Sequence, residues 1–430
     1  MLPVSLLFPN VQLANFSKKV IVPTFFSPTT QHKDNNMKIK SLIACSLLVA
    51  GLYAQEAPKT QQTAAAPANK VQLQLPECIY AVPGKEINVY FDNIVLVINP
   101  DNYEFDVTCP KGRNDKKRWR YIPEKEDVGT YPWSVKVIDE SGVLAEASMQ
   151  IHVAPDNAGE GKDISILIVG DSLTNACVYP TRILANFQTT GNPKVKMVGS
   201  NGPSYKPQPN GVAHEGWAGW CWDSFITRTE PPKKEGKLKP YEIASRFINK
   251  VDGKPVLDFK NYFNIYNGGK APDFITFQLG VNDIFSATDE NRPEKIKFIL
   301  DNADKLIAAA RKGAPNAIIG VGLVTPGASS QDAFGKSYTC GQTRWQYKKN
   351  QHALNQAMLE KFKDYADKKV VIIPTSLNLD CENNFPSAPE NVNLDNIAET
   401  TRQTNGVHPA AAGYRQIGDT FYAWMKYFLK

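Results

Sequence analysis

The chain has 430 residues, too many for one ordinary domain and enough for about two or three. Apolar residues make up 42% and charged residues 21%, which reads as globular and soluble. The net charge of +6 overstates the mature value: residues 1–54 hold five Lys against one Asp, so without them it is +2, which excludes a nucleic-acid footprint.

Residues 1–36 show no clear periodicity and end in a polar run, as expected of an upstream extension ahead of a true start at Met37. Residues 37–54 read as a signal peptide: a basic Met37-Lys38-Ile39-Lys40, an apolar stretch over 41–51, and the small Ala54. The apolar stretch falls short of the roughly 20 residues a membrane-spanning helix needs. Two outcomes stay open. Cleavage before Gln55 gives a periplasmic or secreted protein with no integral membrane segment, and Leu42-Ile43-Ala44-Cys45 also fits a lipid anchor at Cys45. Residues 55–70, rich in Ala, Gln, Pro and Thr, read as a flexible linker.

From 71 to 155 short alternating runs take over, at 87–91, 94–98, 133–138 and 147–153, with turn residues between them. This predicts a small immunoglobulin-like β-sandwich. A spacer or packing role outweighs carbohydrate binding for it, and His152 reads as a surface or packing residue. Six cysteines follow the signal peptide: Cys78, Cys109, Cys177, Cys221, Cys340 and Cys381. Cys78 and Cys109 share this region and are candidates to pair, and the other four allow three pairings. The scattered His and Cys residues match no metal-ligand spacing, so neither metal nor cofactor is expected.

Beyond a second linker at 156–161 the pattern switches. Continuous apolar runs at 164–169, 195–198, 274–279, 317–324 and 370–373 read as strands buried on both faces. Helical spacing lies between them: Ile299, Ala303, Leu306 and Ala310 recur on one face before Gly313-Ala314-Pro315 stops the helix. Residues 344–367 read as a second long helix. A last one runs over 409–429, opening on Pro409 and placing Tyr414, Ile417, Phe421 and Trp424 together. Alternation of this kind predicts a parallel sheet covered by helices, an α/β domain over 163–430.

Four segments of that region carry polar residues suited to acyl transfer: Gly170-Asp171-Ser172-Leu173, Trp217-Ala218-Gly219-Trp220, Gly280-Val281-Asn282-Asp283 and Asn405-Gly406-Val407-His408-Pro409. Ser172 follows a buried strand, where a side chain faces the crevice at the sheet's carboxyl end. Gly219 offers a backbone N–H that a substrate oxygen can approach, with Gly216 as the competing candidate. Asn282 offers side-chain N–H groups. His408 precedes a Pro-initiated helix and is the candidate base. In this order the segments resemble the SGNH (GDSL-type) hydrolase family. The resemblance implies a flavodoxin-like three-layer fold with a five-stranded parallel sheet. It also implies Ser172 as nucleophile, an oxyanion hole of Ser172, Gly219 and Asn282, and His408 as base.

One family position differs. An Asp three residues before the His normally accepts its Nδ1–H, and here Asn405 stands in that place. Asn405 could orient His408 without adding charge, Asp395 or Glu399 could supply the carboxylate, or the site could be vestigial. The aromatic residues around the second segment, with His214, Trp217, Trp220 and Arg344, form a candidate sugar-binding set. The expected function is therefore a serine esterase acting on an O-acylated, foremost O-acetylated, carbohydrate. The alternatives are a lipase-like or thioester hydrolase, and a catalytically weakened glycan-binding protein.

Overall fold

Apolar runs with no polar alternation are stable as strands only when both faces are covered. In the computed structural model, which describes residues 71–363, 365 and 369–430, helices provide that cover. The readings for 1–70 (upstream extension, signal peptide, Cys45 anchor and tether) lie outside the described residues.

The first strands are β1 (Cys78–Ala81), β2 (Ile87–Tyr90), β3 (Glu104–Thr108), β4 (Arg113–Asp115), β5 (Arg118–Tyr121), β6 (Gly129–Asp139) and β7 (Gly142–Val153). They form a four-stranded sheet, β1-β7-β6-β3, and a three-stranded sheet, β2-β5-β4. The sheets share a core in which Trp119 of one meets Trp133 of the other edge-on, ring centroids 6.3 Å apart. The run at 94–98 is not a strand. Phe91–Ile94 forms a single helical turn, α1, and Val95 makes only an isolated bridge to Leu73. Ile94 and Val95 are fully buried all the same, and a short buried apolar run looks alike in either conformation.

The second, larger sheet is built from β8 (Asp163–Gly170), β9 (Lys194–Val198), β10 (Glu215–Gly216), β13 (Phe274–Gln278), β14 (Ile318–Gly322) and β15 (Val370–Ile373), with a separate hairpin of β11 (Ile248–Val251) and β12 (Lys254–Leu257) between. All its pairings are parallel, in the order β9-β8-β13-β14-β15. The two-residue β10 continues the β9 edge beside Val169 and Gly170, so the expected five strands gain a short sixth. The helices are α2 (Ser172–Asn175), α3 (Val178–Phe187), α4 (Ser224–Thr227), α5 (Phe259–Tyr266), α6 (Val281–Ile284), α7 (Arg292–Gly313), α8 (Gln331–Tyr338), α9 (Arg344–Phe362) and α10 (Ala411–Leu429). Two groups flank the sheet, α3 with α10 and α7 with α5 and α9. Helix α9 ends at Phe362, short of the expected 367, and α10 begins two residues after Pro409. A second hairpin, β16 (Ser387–Asn391) and β17 (Glu399–Gln403), precedes His408.

The β-rich region is hydrogen-bonded to one loop of the α/β region, over 377–379. Asn93 Nδ2 donates to Leu379 O at 2.8 Å, and Asn88 Nδ2 donates to Asn378 Oδ1 at 3.0 Å. Tyr90 N–H donates to Leu377 O at 3.1 Å. Asp92 pairs with Arg344 and Lys348 of α9. His152 stacks on Tyr427 of α10 at 4.8 Å, a packing role. All six described cysteines are free, so Cys78 and Cys109 do not pair; Cys78 Sγ instead donates to Tyr80 Oη. Removing the Asn93 amide strands buried carbonyls. Asn93→Ala is expected to lower unfolding free energy by about 1–3 kcal/mol in a urea titration.

Candidate active site

The strands β8 and β13 end side by side, Gly170 opposite Gln278, so the residues that follow them emerge at one rim of the sheet. Ser172 is the first residue of α2, whose turn is capped by Asp171: its Oδ1 accepts from Leu173 N–H at 2.9 Å. Asn282 lies in α6, four residues past the end of β13 at Gln278. His408 comes from the loop between β17 and α10.

The structure brings Ser172 and His408 together. Ser172 Oγ and His408 Nε2 are 2.8 Å apart, a hydrogen bond joining residues 236 apart in sequence. Both side chains are half-buried, which leaves an ester room to reach them. Burial alone holds the His408 imidazole below its ordinary 6.5, so the ring is neutral at neutral pH and can accept the hydroxyl proton.

Asn405 does something other than the expected orienting of the ring. Its Oδ1 accepts from the backbone N–H groups of Val407, at 3.1 Å, and His408, at 2.9 Å. The oxygen is committed to a local turn, a habit of Asn side chains, and it makes no hydrogen bond with the imidazole. Asp395 and Glu399 do not supply the missing carboxylate either. Both sit exposed on the β16–β17 hairpin and neither bonds the ring. Among the described residues Ser172 and His408 form a dyad.

The oxyanion candidates separate on geometry. Gly219 is exposed, has φ +74°, and a side chain there would meet open space, while its N–H makes no hydrogen bond among the described residues. Gly216 donates its N–H to His214 Nδ1 at 3.0 Å, and a Cβ on it would lie 2.4 Å from Thr174. Gly219 is therefore the free donor. Asn282 Nδ2 donates one hydrogen to Trp220 O at 2.9 Å, which fixes the amide and leaves its second hydrogen available.

Beneath these groups lie two buried carboxyls. Burial pushes Asp171 up to about 7, and the nearby Asp283 adds to the rise. Asp283 is likewise raised to about 7 by burial, while its Oδ1 accepts from Trp222 N–H at 3.0 Å. Cys221, Asp223 and Asp283 bring donor atoms within 4.8 Å of one another and are the described residues that could together hold a cation.

The expected sugar-binding set is not assembled. His214 is fully buried, its Nε2 against Cys177 Sγ at 3.2 Å, and burial lowers it to about 3. Trp217 and Trp220 are buried with their indole N–H groups donating to Glu215 Oε2 and Tyr241 O, so neither presents a face for sugar stacking. Arg344 is tied to Asp92 and Ile98 O, facing the β-rich region. Large side chains beside a motif were buried because the loop needs its own core. Sequence reasoning passed over Glu215, a buried carboxyl that accepts from Ser200 N–H, Trp217 Nε1 and Tyr262 Oη and so staples the loop that leads to Gly219. Its one signal was a Glu inside an apolar, Trp-rich stretch.

The family described as GDSL-like Lipase/Acylhydrolase matches residues 166–421, more than half of the chain. The chain belongs to this family. It is an ester hydrolase of the SGNH type, and the rim dyad lies within the matched span. No protein of curated function matches the sequence. Among solved structures, the Clostridium thermocellum family 3 carbohydrate esterase is similar at 19% identity and TM-score 0.36, over 62% of this chain and 98% of its own. A family 3 carbohydrate esterase from Talaromyces cellulolyticus is similar at 18% identity and TM-score 0.35, over 62% and 98%. Est24, a carbohydrate acetylesterase from Sinorhizobium meliloti, is similar at 16% identity and TM-score 0.33, over 62% and 99%.

A half-buried imidazole with no carboxylate partner is expected to set the pH response of this hydrolase. The acid limb of its kcat/KM profile is expected below pH 6.5, the ordinary histidine value. Asn405→Asp keeps the backbone cap and adds a charged oxygen. It should raise the His408 pKa, move that limb to higher pH and raise kcat by about tenfold or more in an ester-hydrolysis pH series.

Proposed function

We propose that this hydrolase is a serine esterase that removes O-acyl groups, foremost O-acetyl, from a carbohydrate through an acyl-Ser172 intermediate. The observation that carries the reading is the 2.8 Å hydrogen bond between Ser172 Oγ and His408 Nε2; a Gly219 N–H with no hydrogen bond among the described residues and the fixed Asn282 amide support it. His408 Nε2 takes the hydroxyl proton as Oγ attacks the acyl carbonyl. The developing oxyanion receives hydrogen bonds from Gly219 N–H, the spare Asn282 N–H and the Ser172 N–H. Collapse expels the sugar oxygen, which His408 protonates. Water then enters by the same route, releasing the acid and restoring Ser172.

A short acyl group on a polar alcohol is supported by the surroundings. The depression beside Gly219 is lined by Thr227, Arg228, Thr229, Glu230 and Glu242, with Tyr241, a polar wall poorly suited to a long acyl chain. Export belongs to the same proposal and rests on the 37–54 segment alone. We also propose that the β-rich region is an immunoglobulin-like accessory domain serving as a brace, since its two sheets split four and three. No helix among the described residues is long and apolar enough to cross a membrane.

Ser172→Ala should abolish acetate release from acetylated xylan and from para-nitrophenyl acetate, and a fluorophosphonate probe should label the wild type at Ser172 only. Wild-type protein that neither hydrolyses these esters nor takes the label would refute the reading. Asn282→Ala should lower kcat by about 10²–10³ with KM little changed.

A further inference from the structure

The depression that opens at Gly219, about 640 Å³ in volume, holds one charged side chain with no charged partner. Its two carboxylates are already engaged. Glu242 accepts from Lys234 Nζ at 2.7 Å and from Lys239 N–H at 2.6 Å, and Glu230 lies 3.6 Å from Lys250. Arg228, on the same wall, makes no ion pair and no side-chain hydrogen bond among the described residues.

Arg228 is nevertheless held in place. Its guanidinium lies over the Trp220 ring, 4.7 Å from the centroid. Its backbone is pinned on both sides: the N–H donates to Ser224 O at 3.2 Å, and its carbonyl accepts from Ser245 N–H at 2.7 Å. Trp220 is fully buried and anchored through its indole to Tyr241 O, while its own carbonyl fixes Asn282. One tryptophan therefore positions the guanidinium with its ring and an oxyanion donor with its backbone. A guanidinium stacked by one face keeps its in-plane N–H fork free, and that fork matches a carboxylate in two parallel hydrogen bonds.

We propose that Arg228 is the specificity-determining contact of this site and binds a carboxylate on the sugar portion of the ester, so that the preferred substrates are acylated acidic glycans of the uronate type. This rests on the esterase reading above. Arg228 and Gly219 line the same depression, so an ester whose carbonyl oxygen is held by the Gly219 N–H would present its sugar portion to the guanidinium.

The test uses the full chain and three acetyl esters: para-nitrophenyl acetate, acetylated xylo-oligosaccharides, which are neutral, and acetylated oligogalacturonides, which carry carboxylates. Arg228→Gln should raise KM for the acidic ester by about ten- to a hundredfold, leave its kcat in place and spare both uncharged esters. Arg228→Lys should recover only part of the loss, because an ammonium lacks the planar fork. Equal loss on all three esters, or no loss on the acidic one, would overturn the proposal. So would a response confined to a hemisuccinate ester of a neutral sugar, which places the charge on the acyl side. Aryl-acetate turnover that disappears in Ser172→Ala keeps the esterase reading standing if Arg228 fails. Calorimetric binding of the oligogalacturonide to Ser172→Ala protein, lost on adding Arg228→Gln, reads the contact without turnover.

Discussion

A single hydrogen bond, from a hydroxyl to an imidazole 236 residues further along the chain, is the contact on which the site depends. Neither group could hold that geometry by itself. Ser172 is fixed because β8 ends at the rim and Asp171 caps the next turn. His408 is fixed because Asn405 ties the backbone of its loop and α10 begins three residues later, at Ala411. The apolar sheet places these polar loops at one end, where their backbone groups can meet water or each other. Proton transfer at such a contact is sensitive to small displacements, so rigidity of the loops matters as much as the identity of the side chains.

Much of that rigidity comes from outside the sheet. The loop that receives Asn88, Tyr90 and Asn93 of the β-rich region continues into segments that flank His408. Cys381 O accepts from Ser329 N–H, Ala328 N–H reaches Gly406 O, and Asn384 O accepts from Ala410 N–H. Gln403 Nε2 adds bonds to the carbonyls of Cys381 and Glu382. A set of hydrogen bonds, buried at the β-rich end and partly exposed near Gln403, thus runs from the β-rich region to the histidine loop. Buried networks of this kind cost heavily when partly broken, which makes them effective at fixing one arrangement.

The electrostatics of the site follow from what is missing. With no carboxylate on its ring, the His408 imidazole feels burial and little else, and it stays neutral. A neutral base is ready to accept a proton but is poorly supported once it becomes cationic. Asp171 and Asp283 do not offset this. Each is committed to a backbone N–H, and burial raises both to about 7.

The alternation of apolar runs with helical spacing determined the α/β sheet, because strands covered on both faces leave no polar residues to confuse the period. The order of the four motifs singled out the Ser and His that meet at the rim. The sequence did not disclose that Ile94 and Val95 leave strand geometry, since burial of a short apolar run is compatible with several backbones. Nor did it disclose which tryptophans are walls and which are platforms: Trp217, Trp220 and His214 proved to be the core of their own loop. The role of Asn405 depended on where one oxygen points, and the freedom of Arg228 depended on which distant carboxylates were already taken. Periodicity and motif order are local and survive in one dimension. Hydrogen-bond partners and charge pairing are settled only when residues hundreds of positions apart compete for the same few neighbours, and that competition exists only in the folded chain.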